Sequence, residues 1–113
     1  MAKSTKPSAK ILQAMEVIGD RKLWTKNAIA KDKNDHIVKV NDKDAVCFCS
    51  IGALDKVKAS YQTKGYLSGA VFHDNYGYSL NAIVDYNDAP ETKHKDVMNL
   101  FMTAAFLALS EGK

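Results

Sequence analysis

The residues best suited to covalent or metal chemistry are the cysteines Cys47 and Cys49 and the histidines His36, His73 and His94. Structural zinc sites usually combine two close ligand pairs, whereas this chain offers one tightly spaced Cys-x-Cys pair. On a helix, residues two apart point about 200° apart, which is unfavourable for binding one ion. A thiol near a helix N-terminus would be a nucleophile if a histidine approached it. We nevertheless expect reduced core thiols, and we assign no catalytic residue, metal ligand or cofactor.

A polar segment and an isolated tryptophan are the candidate binding residues. Asp85, Asn87 and Asp88 could bind a cation or a ligand hydroxyl. They could equally satisfy backbone N–H groups where a helix gives way to a loop, as short polar side chains at turns normally do. Trp24 stands in polar surroundings, so it either closes the core with its N–H on a carbonyl or stacks on a ligand. We keep Trp24, Asp85, Asn87 and Asp88 as candidate binding residues.

Length and composition indicate one soluble domain. The chain has 113 residues, of which 46% are hydrophobic and 26% charged, as in ordinary globular proteins. It contains no apolar run of the roughly 18 residues that a membrane span needs. The N-terminus is basic but lacks the apolar stretch of a signal peptide. We expect a cytoplasmic protein with a flexible basic tail over residues 1–7 and a single helical domain over residues 8–111.

The charge distribution favours nucleic-acid binding only weakly. The net charge is +3, and residues 1–33 carry eight basic against three acidic side chains. Most aromatic residues lie in the less basic remainder, whereas nucleic-acid binding requires basic and exposed aromatic residues together. We expect nucleic acid to be an unlikely partner.

Hydrophobic periodicity predicts a mainly α fold of four to five helices, with a short two-stranded β-ribbon near residues 28–40. Five signals set the predicted helices. The first helix is predicted to begin near Ser8 and to end at a left-handed Gly19, and the second to run from Asp42 or Asp44 to Tyr61. The third follows a break at Thr63-Lys64-Gly65, and the fourth is capped by Ser79 and precedes a break at residues 86–90. The last helix runs from an N-cap at Thr92 to Gly112. Residues 73–77 are predicted to form a loop.

Five residues are predicted to be structural. Leu100 and Phe101 lie on the last helix, which is apolar almost all round and should be central and buried. Cys49 lies on the apolar face of the predicted second helix. Gly52 costs helix stability, so we expect another backbone or ring against it, and with Ala53 it should form a close helix–helix contact.

Several short motifs, in this order and spacing, resemble a family of small bacterial and phage proteins called domain of unknown function 6197. The motifs are Trp24-Thr25-Lys26-Asn27-Ala28, Cys49-Ser50-Ile51-Gly52-Ala53-Leu54, Tyr86-Asn87-Asp88, and Thr92 with Asp96-Val97. The likeness covers about residues 11–108; the family often has Glu at Asp96 and Trp at Tyr86. The resemblance implies a largely helical fold and a frequent phage context, and it supplies no catalytic residue, substrate or cofactor.

Three function classes follow from these observations. The favoured hypothesis is a small non-enzymatic interaction protein, a phage accessory factor whose partner would be a host protein in the host cytoplasm. The alternatives are a small enzyme using Cys47, Cys49 or the Asp85/Asp88 pair, and a weak nucleic-acid-binding protein. Self-association is left open, and no membrane partner is expected.

Overall fold

The computed structural model describes residues 4–72 and 79–113, and these form five helices and three short strands. In chain order the elements are α1 (Pro7–Val17), a 3-10 turn (Arg21–Leu23), β1 (Ala30–Lys31), β2 (Ile37–Val38), β3 (Cys47–Phe48), α2 (Ser50–Lys56), α3 (Tyr61–Phe72), α4 (Leu80–Asp88) and α5 (His94–Ser110). The mainly α, compact single domain is confirmed. Within the described residues, no helix is both long enough and apolar enough to cross a membrane.

Helix α5 is the centre of the packing, because it lies against both α1 and α3. Its buried residues recur at helical spacing: Val97, Leu100, Phe101, Ala104, Ala105 and Ala108. Leu100 and Phe101 both lie in the core. The prediction that α5 is central and buried is wrong only for its opposite side, where Met102, Phe106 and Leu109 are exposed. One apolar face is enough to bind the two neighbouring helices.

The predicted ribbon is confirmed, and a third strand extends it. β1 lies between β2 and β3, and both pairings are antiparallel. Ala30 faces Val38 on one side and Phe48 on the other. Ala30 is fully buried, so this small sheet closes one side of the helical core.

The predicted second helix is wrong in its first half. The segment before Ser50 pairs with β1 instead: Val46 N donates to Lys31 O at 2.9 Å, and Cys49 N donates to Ile29 O at 3.1 Å. These long-range backbone bonds override the local helical pattern, which is a weak preference. Helix α2 therefore begins at Ser50. It also ends early, at Lys56 rather than at the predicted Tyr61, which instead begins α3.

Glycine is required at position 52 because another backbone segment lies very close to it. That segment is not a helix. A Cβ at this position would overlap the carbonyl oxygen of Ile29, in the segment that leads into β1. The expected close neighbour is thus a backbone, and the expected helix–helix contact is wrong at Gly52. Ala53 is fully buried in the core.

The ends of α1 differ from the prediction. Helix α1 begins at Pro7, inside the predicted tail, because proline suits the first helical position. Ser8 does not cap it; its hydroxyl donates to the backbone oxygen of Lys113 at 2.7 Å. Gly19 does not take a left-handed conformation, since the cap at Ile18 already bonds back to the helix.

The predicted starts of the later helices are confirmed for α4 and wrong for α3 and α5. Helix α3 runs through Gly65 without the predicted break. Ser79 caps α4 as predicted, with its hydroxyl accepting from Ala82 N at 3.2 Å. The cap of α5 is Lys93 rather than Thr92, because the Asp96 carboxylate accepts from Lys93 N at 2.9 Å. The predicted loop over residues 73–77 and the first three residues of the tail lie outside the described residues.

Candidate functional site

Asn87 lies at the centre of a hydrogen-bonded group that joins three separate segments. Its Oδ1 accepts from Trp24 Nε1 at 2.8 Å, from Ser50 N at 3.0 Å and from Ser50 Oγ at 2.7 Å. Its Nδ2 donates to Thr25 O at 3.1 Å and to Asp88 Oδ1 at 2.9 Å. We call these five residues the Asn87 cluster. They tie the loop after α1 and the start of α2 to the end of α4.

The periodicity of α4 explains how an asparagine comes to be buried. Asn87 follows Ile83 by one helical turn on the buried face of the helix and is only 1% exposed. A buried amide must be hydrogen-bonded, and here every group of the amide is used. The bond to Ser50 N also satisfies one of the free N–H groups at the start of α2. Asn87 therefore completes the N-terminal cap of another helix.

Asp88 extends the cluster to an unusual turn. Its Oδ1 accepts from Asn27 N at 2.9 Å. Asn27 has a φ of 65°, in the left-handed region that asparagine tolerates better than most residues. The carboxylate of Asp88 thus holds this turn in a conformation that would otherwise be costly.

Trp24 is packed by its neighbours rather than left free. Its ring is tilted against His94, with centroids 5.9 Å apart, and the Lys26 ammonium lies 5.6 Å from its centroid. Lys26 Nζ also donates to Ala89 O at 2.6 Å, and a ring nitrogen of His94 bonds Ile18 O at 2.7 Å. The indole N–H is bonded to the side-chain carbonyl of Asn87, so Trp24 closes one side of the core.

The structure brings together three of the four candidate binding residues. Trp24, Asn87 and Asp88 meet in one cluster, while Asp85 lies exposed on the surface of α4. The prediction that residues 85–88 leave the helix is wrong, because α4 continues to Asp88. The sequence analysis did not select Ser50. The feature that could have indicated its role is its position as a polar residue directly before an apolar run. The polar groups of the cluster bond to one another, so the cluster stabilises the fold by connecting three segments.

The two cysteines occupy different elements. Cys49 is the N-cap of α2, where its Sγ accepts from Gly52 N at 3.3 Å. It is 5% exposed, and burial raises the pKa of its thiol. Cys47 lies half-buried on β3, so the expected placement of both on one helix is wrong. No group of three or more metal-ligating side chains occurs among the described residues.

An exposed apolar face runs along α5. Met102, Phe106 and Leu109 follow one another at helical spacing and are 54%, 72% and 60% exposed. We call these three residues the α5 stripe. Lys95 lies on the same side two helical turns before Met102, and Lys113 follows the helix at the other end. The sequence pattern does not reveal the stripe, because a helix that is apolar almost all round is predicted to be buried.

A family model described as a family of unknown function (DUF6197) matches residues 2–107. The chain belongs to this family. The match confirms the resemblance noted in the sequence. No curated protein and no solved structure matches the chain.

Three of the four motifs that suggested DUF6197 meet in space. Trp24 and Thr25 from the first motif, Ser50 from the second, and Asn87 with Asp88 from the third form the Asn87 cluster. Asp96 of the last motif caps α5. In this DUF6197 chain the motifs therefore stabilise the fold, while the α5 stripe lies outside them.

Proposed function

We propose that this protein is a small non-enzymatic interaction protein that binds a partner protein through the α5 stripe. The observation that carries the proposal is the exposure of Met102, Phe106 and Leu109 together on one helical face. Contiguous exposed apolar surface on a small soluble domain marks an interaction site, and Met and Phe are enriched at interface cores. The fold is already held by the opposite face of α5, so the stripe is free for another molecule.

Charge around the stripe indicates the kind of partner. Lys95 lies at one end of α5, and Lys113 follows the helix at the other end. A second copy of the chain, in either direction along α5, would bring lysines close to lysines. A different protein with an apolar centre and an acidic rim fits better, because complementary charge favours association. If the chain is phage-encoded, this partner would be a host protein in the host cytoplasm.

The test starts from a photo-crosslinking residue at position 106, which identifies the protein that contacts the stripe. The partner is then purified, and its affinity is measured for the parent chain, Phe106→Ser and Ile37→Ser. Ile37 is a matched control, because it is 71% exposed on β2, against 72% for Phe106. We expect Phe106→Ser to lose about tenfold or more in affinity, as central aromatic contacts do, and Ile37→Ser to bind normally.

Three results would contradict this proposal. Equal binding by Phe106→Ser and the parent chain would remove the stripe from the interface. A captured surface without an apolar centre and acidic rim would contradict the stated partner chemistry. Concentration-dependent dimerisation in sedimentation, abolished by Phe106→Ser, would assign the stripe to self-association instead.

The alternative functions have less support. The burial and raised pKa of Cys49 disfavour a thiol nucleophile, which must be ionised and reachable. Two basic side chains of the first third are used internally, since Lys10 Nζ donates to Val57 O and Lys26 Nζ to Ala89 O. This weakens the case for a nucleic-acid surface, which needs its lysines free for phosphates.

A further inference from the structure

Helices α1 and α5 lie side by side and run in opposite directions. At one end of the pair, Ser8 Oγ at the start of α1 donates to Lys113 O, just after α5, at 2.7 Å. At the other end, a ring nitrogen of His94 at the start of α5 bonds Ile18 O, just after α1, at 2.7 Å. Residues at similar distances from either bonded end therefore lie level with each other on the two helices.

The α5 stripe lies on the flank of α5 that borders α1. Each residue turns a helix by about 100°. From Phe101 in the core, Glu111 lies about 80° round the helix in one direction, where Tyr66 of α3 donates to its Oε1 at 3.0 Å. Met102 and Leu109 lie about 100° and 80° round in the opposite direction, away from α3. Because α1 and α3 are the principal neighbours of α5, this second flank is the one beside α1.

Leu12 borders the same surface from α1. From Ile11 in the core, Lys10 lies about 100° round in one direction and donates its Nζ to Val57 O at the end of α2. Leu12 lies about 100° round in the other direction and is 45% exposed. Ser8, which bonds the end of α5, lies on this same side of α1. In an antiparallel pair, flanks reached by turning the same way from the contact face one surface, so Leu12 and the stripe share it.

Two half-buried methionines lie between these exposed side chains. Met15 lies three residues before the bonded end of α1, and Met98 four residues after the bonded start of α5, so the two are level, about 5–6 Å from that end. Leu12 and Met102 follow at about 9 and 12 Å from the same end. We call the combined apolar surface the α1–α5 face, and its members are Leu12, Met15, Met98, Met102, Phe106 and Leu109.

We infer that the α1–α5 face binds an amphipathic helix of the partner protein; this inference rests on the proposed function and extends its site to α1. Helices packed about 8–10 Å apart leave a groove along their contact, into which a third helix can lay its apolar face. The distance along α5 from Met98 to Leu109 is about 16 Å, or three helical turns, which matches apolar residues of a partner helix at positions i, i+3 or i+4, and i+7. Methionine side chains are flexible, so they adapt to the facing helix.

The charges beside the α1–α5 face favour an acidic partner helix. Lys95 lies on the exposed side of α5 at one end, and Lys113 follows α5 at the other. Glu16 of α1 is exposed at the Lys95 end and offsets that charge, whereas Lys113 has no acidic side chain of α1 at its level. Acidic residues beside the apolar face of the partner helix, above all at the Lys113 end, would complement this pattern.

The test uses the full chain with a photo-crosslinking residue at position 12 in one sample and at position 106 in another. Mass spectrometry identifies the partner residues that each position contacts. We expect both positions to crosslink to one partner segment, at residues three, four or seven apart. A synthetic peptide of that segment should gain helical circular dichroism when it binds the full chain. Proline at the centre of the peptide should weaken binding about tenfold or more, because proline breaks a helix.

A variant of α1 tests the added half of the face. Leu12→Gln keeps a good helix former, so α1 should persist, while the affinity for the purified partner should fall about fivefold or more. Val84→Gln is the matched control, because Val84 is 38% exposed on α4, outside the face, and should leave the affinity unchanged. Equal urea midpoints of the two variants show that any loss comes from the interface.

The outcomes separate this inference from the proposed function. Full affinity in Leu12→Gln with a loss in Phe106→Ser would overturn the role of α1 and leave the stripe as the binding site. Full affinity in both variants would overturn both proposals. Crosslinks from the two positions to separate partner segments, or a bound peptide without helical signal, would overturn the helical occupant. Crosslinks to a second copy of this chain would replace the partner helix with self-association.

Discussion

Replacing Asn87 by alanine should cost this domain a large share of its stability. The variant leaves four groups without their partner: the indole N–H of Trp24, the N–H and the hydroxyl of Ser50, and the carbonyl of Thr25. Ser50 is fully buried, so water cannot replace its lost acceptor there, whereas water can reach part of Trp24. The loss is therefore larger than the removal of one surface hydrogen bond.

The structure sets the size of this loss. A buried polar group left unsatisfied costs about 1–3 kcal/mol, and two of these four groups are partly hydrated, so the loss is about 3–5 kcal/mol. A domain of this kind has about 5–15 kcal/mol in total. Asn87→Ala should therefore unfold at a much lower urea concentration, or fail to fold at ambient temperature.

Urea denaturation followed by tryptophan fluorescence measures the change, because Trp24 is the single tryptophan and lies in the cluster itself. Circular dichroism provides a second probe of the same transition. Asn81→Ala is the matched control, since Asn81 lies exposed on the same helix and should change the free energy of unfolding by less than about 0.5 kcal/mol. A loss below about 1 kcal/mol in Asn87→Ala would refute the structural role of the cluster.

Three further predictions test the core and the thiol. Leu100→Ala should lower the free energy of unfolding by about 2–5 kcal/mol in urea titrations, whereas the exposed Met102→Ala should stay near the parent value. Gly52→Ala should lower the thermal midpoint, at a cost of about 1–3 kcal/mol, because the new methyl overlaps the Ile29 carbonyl oxygen. An unchanged urea midpoint in Leu100→Ala would contradict the burial of Leu100, and an unchanged thermal midpoint in Gly52→Ala would contradict the close contact between Gly52 and Ile29. Because burial raises the pKa of Cys49, iodoacetamide should label this thiol slowly in the folded protein and rapidly in urea. A free thiol has a pKa of about 8.5. Fast labelling of Cys49 in the folded protein below pH 8 would therefore contradict its burial.

The features that the sequence predicts correctly have local causes. Helix α5 is marked by apolar residues at helical spacing, and α4 by a serine that bonds back to its first turn. The ribbon follows from β-branched residues around a polar turn at residues 31–35. In each case the decisive contacts lie within a few residues along the chain.

The errors have long-range causes. The segment at residues 42–49 has helical periodicity, but its backbone is bonded to residues 29–31, which no local pattern reveals. Gly52 predicts a close neighbour, yet only the folded chain shows that the neighbour is Ile29. Asn87 and Trp24 were selected by residue type, while their bond across more than sixty residues depends on the tertiary fold.

The two faces of α5 separate the stability of the protein from its proposed binding. The inner face holds Leu100 and Phe101 in the core, and the Asn87 cluster fixes the loops around it. Damage to either should reduce stability and binding together, because the stripe exists only on the folded helix. Phe106 is 72% exposed, so its replacement should reduce binding while leaving the unfolding midpoint unchanged. A binding loss without a stability loss is therefore the signature of an interaction face, and it distinguishes the stripe from every core position named above.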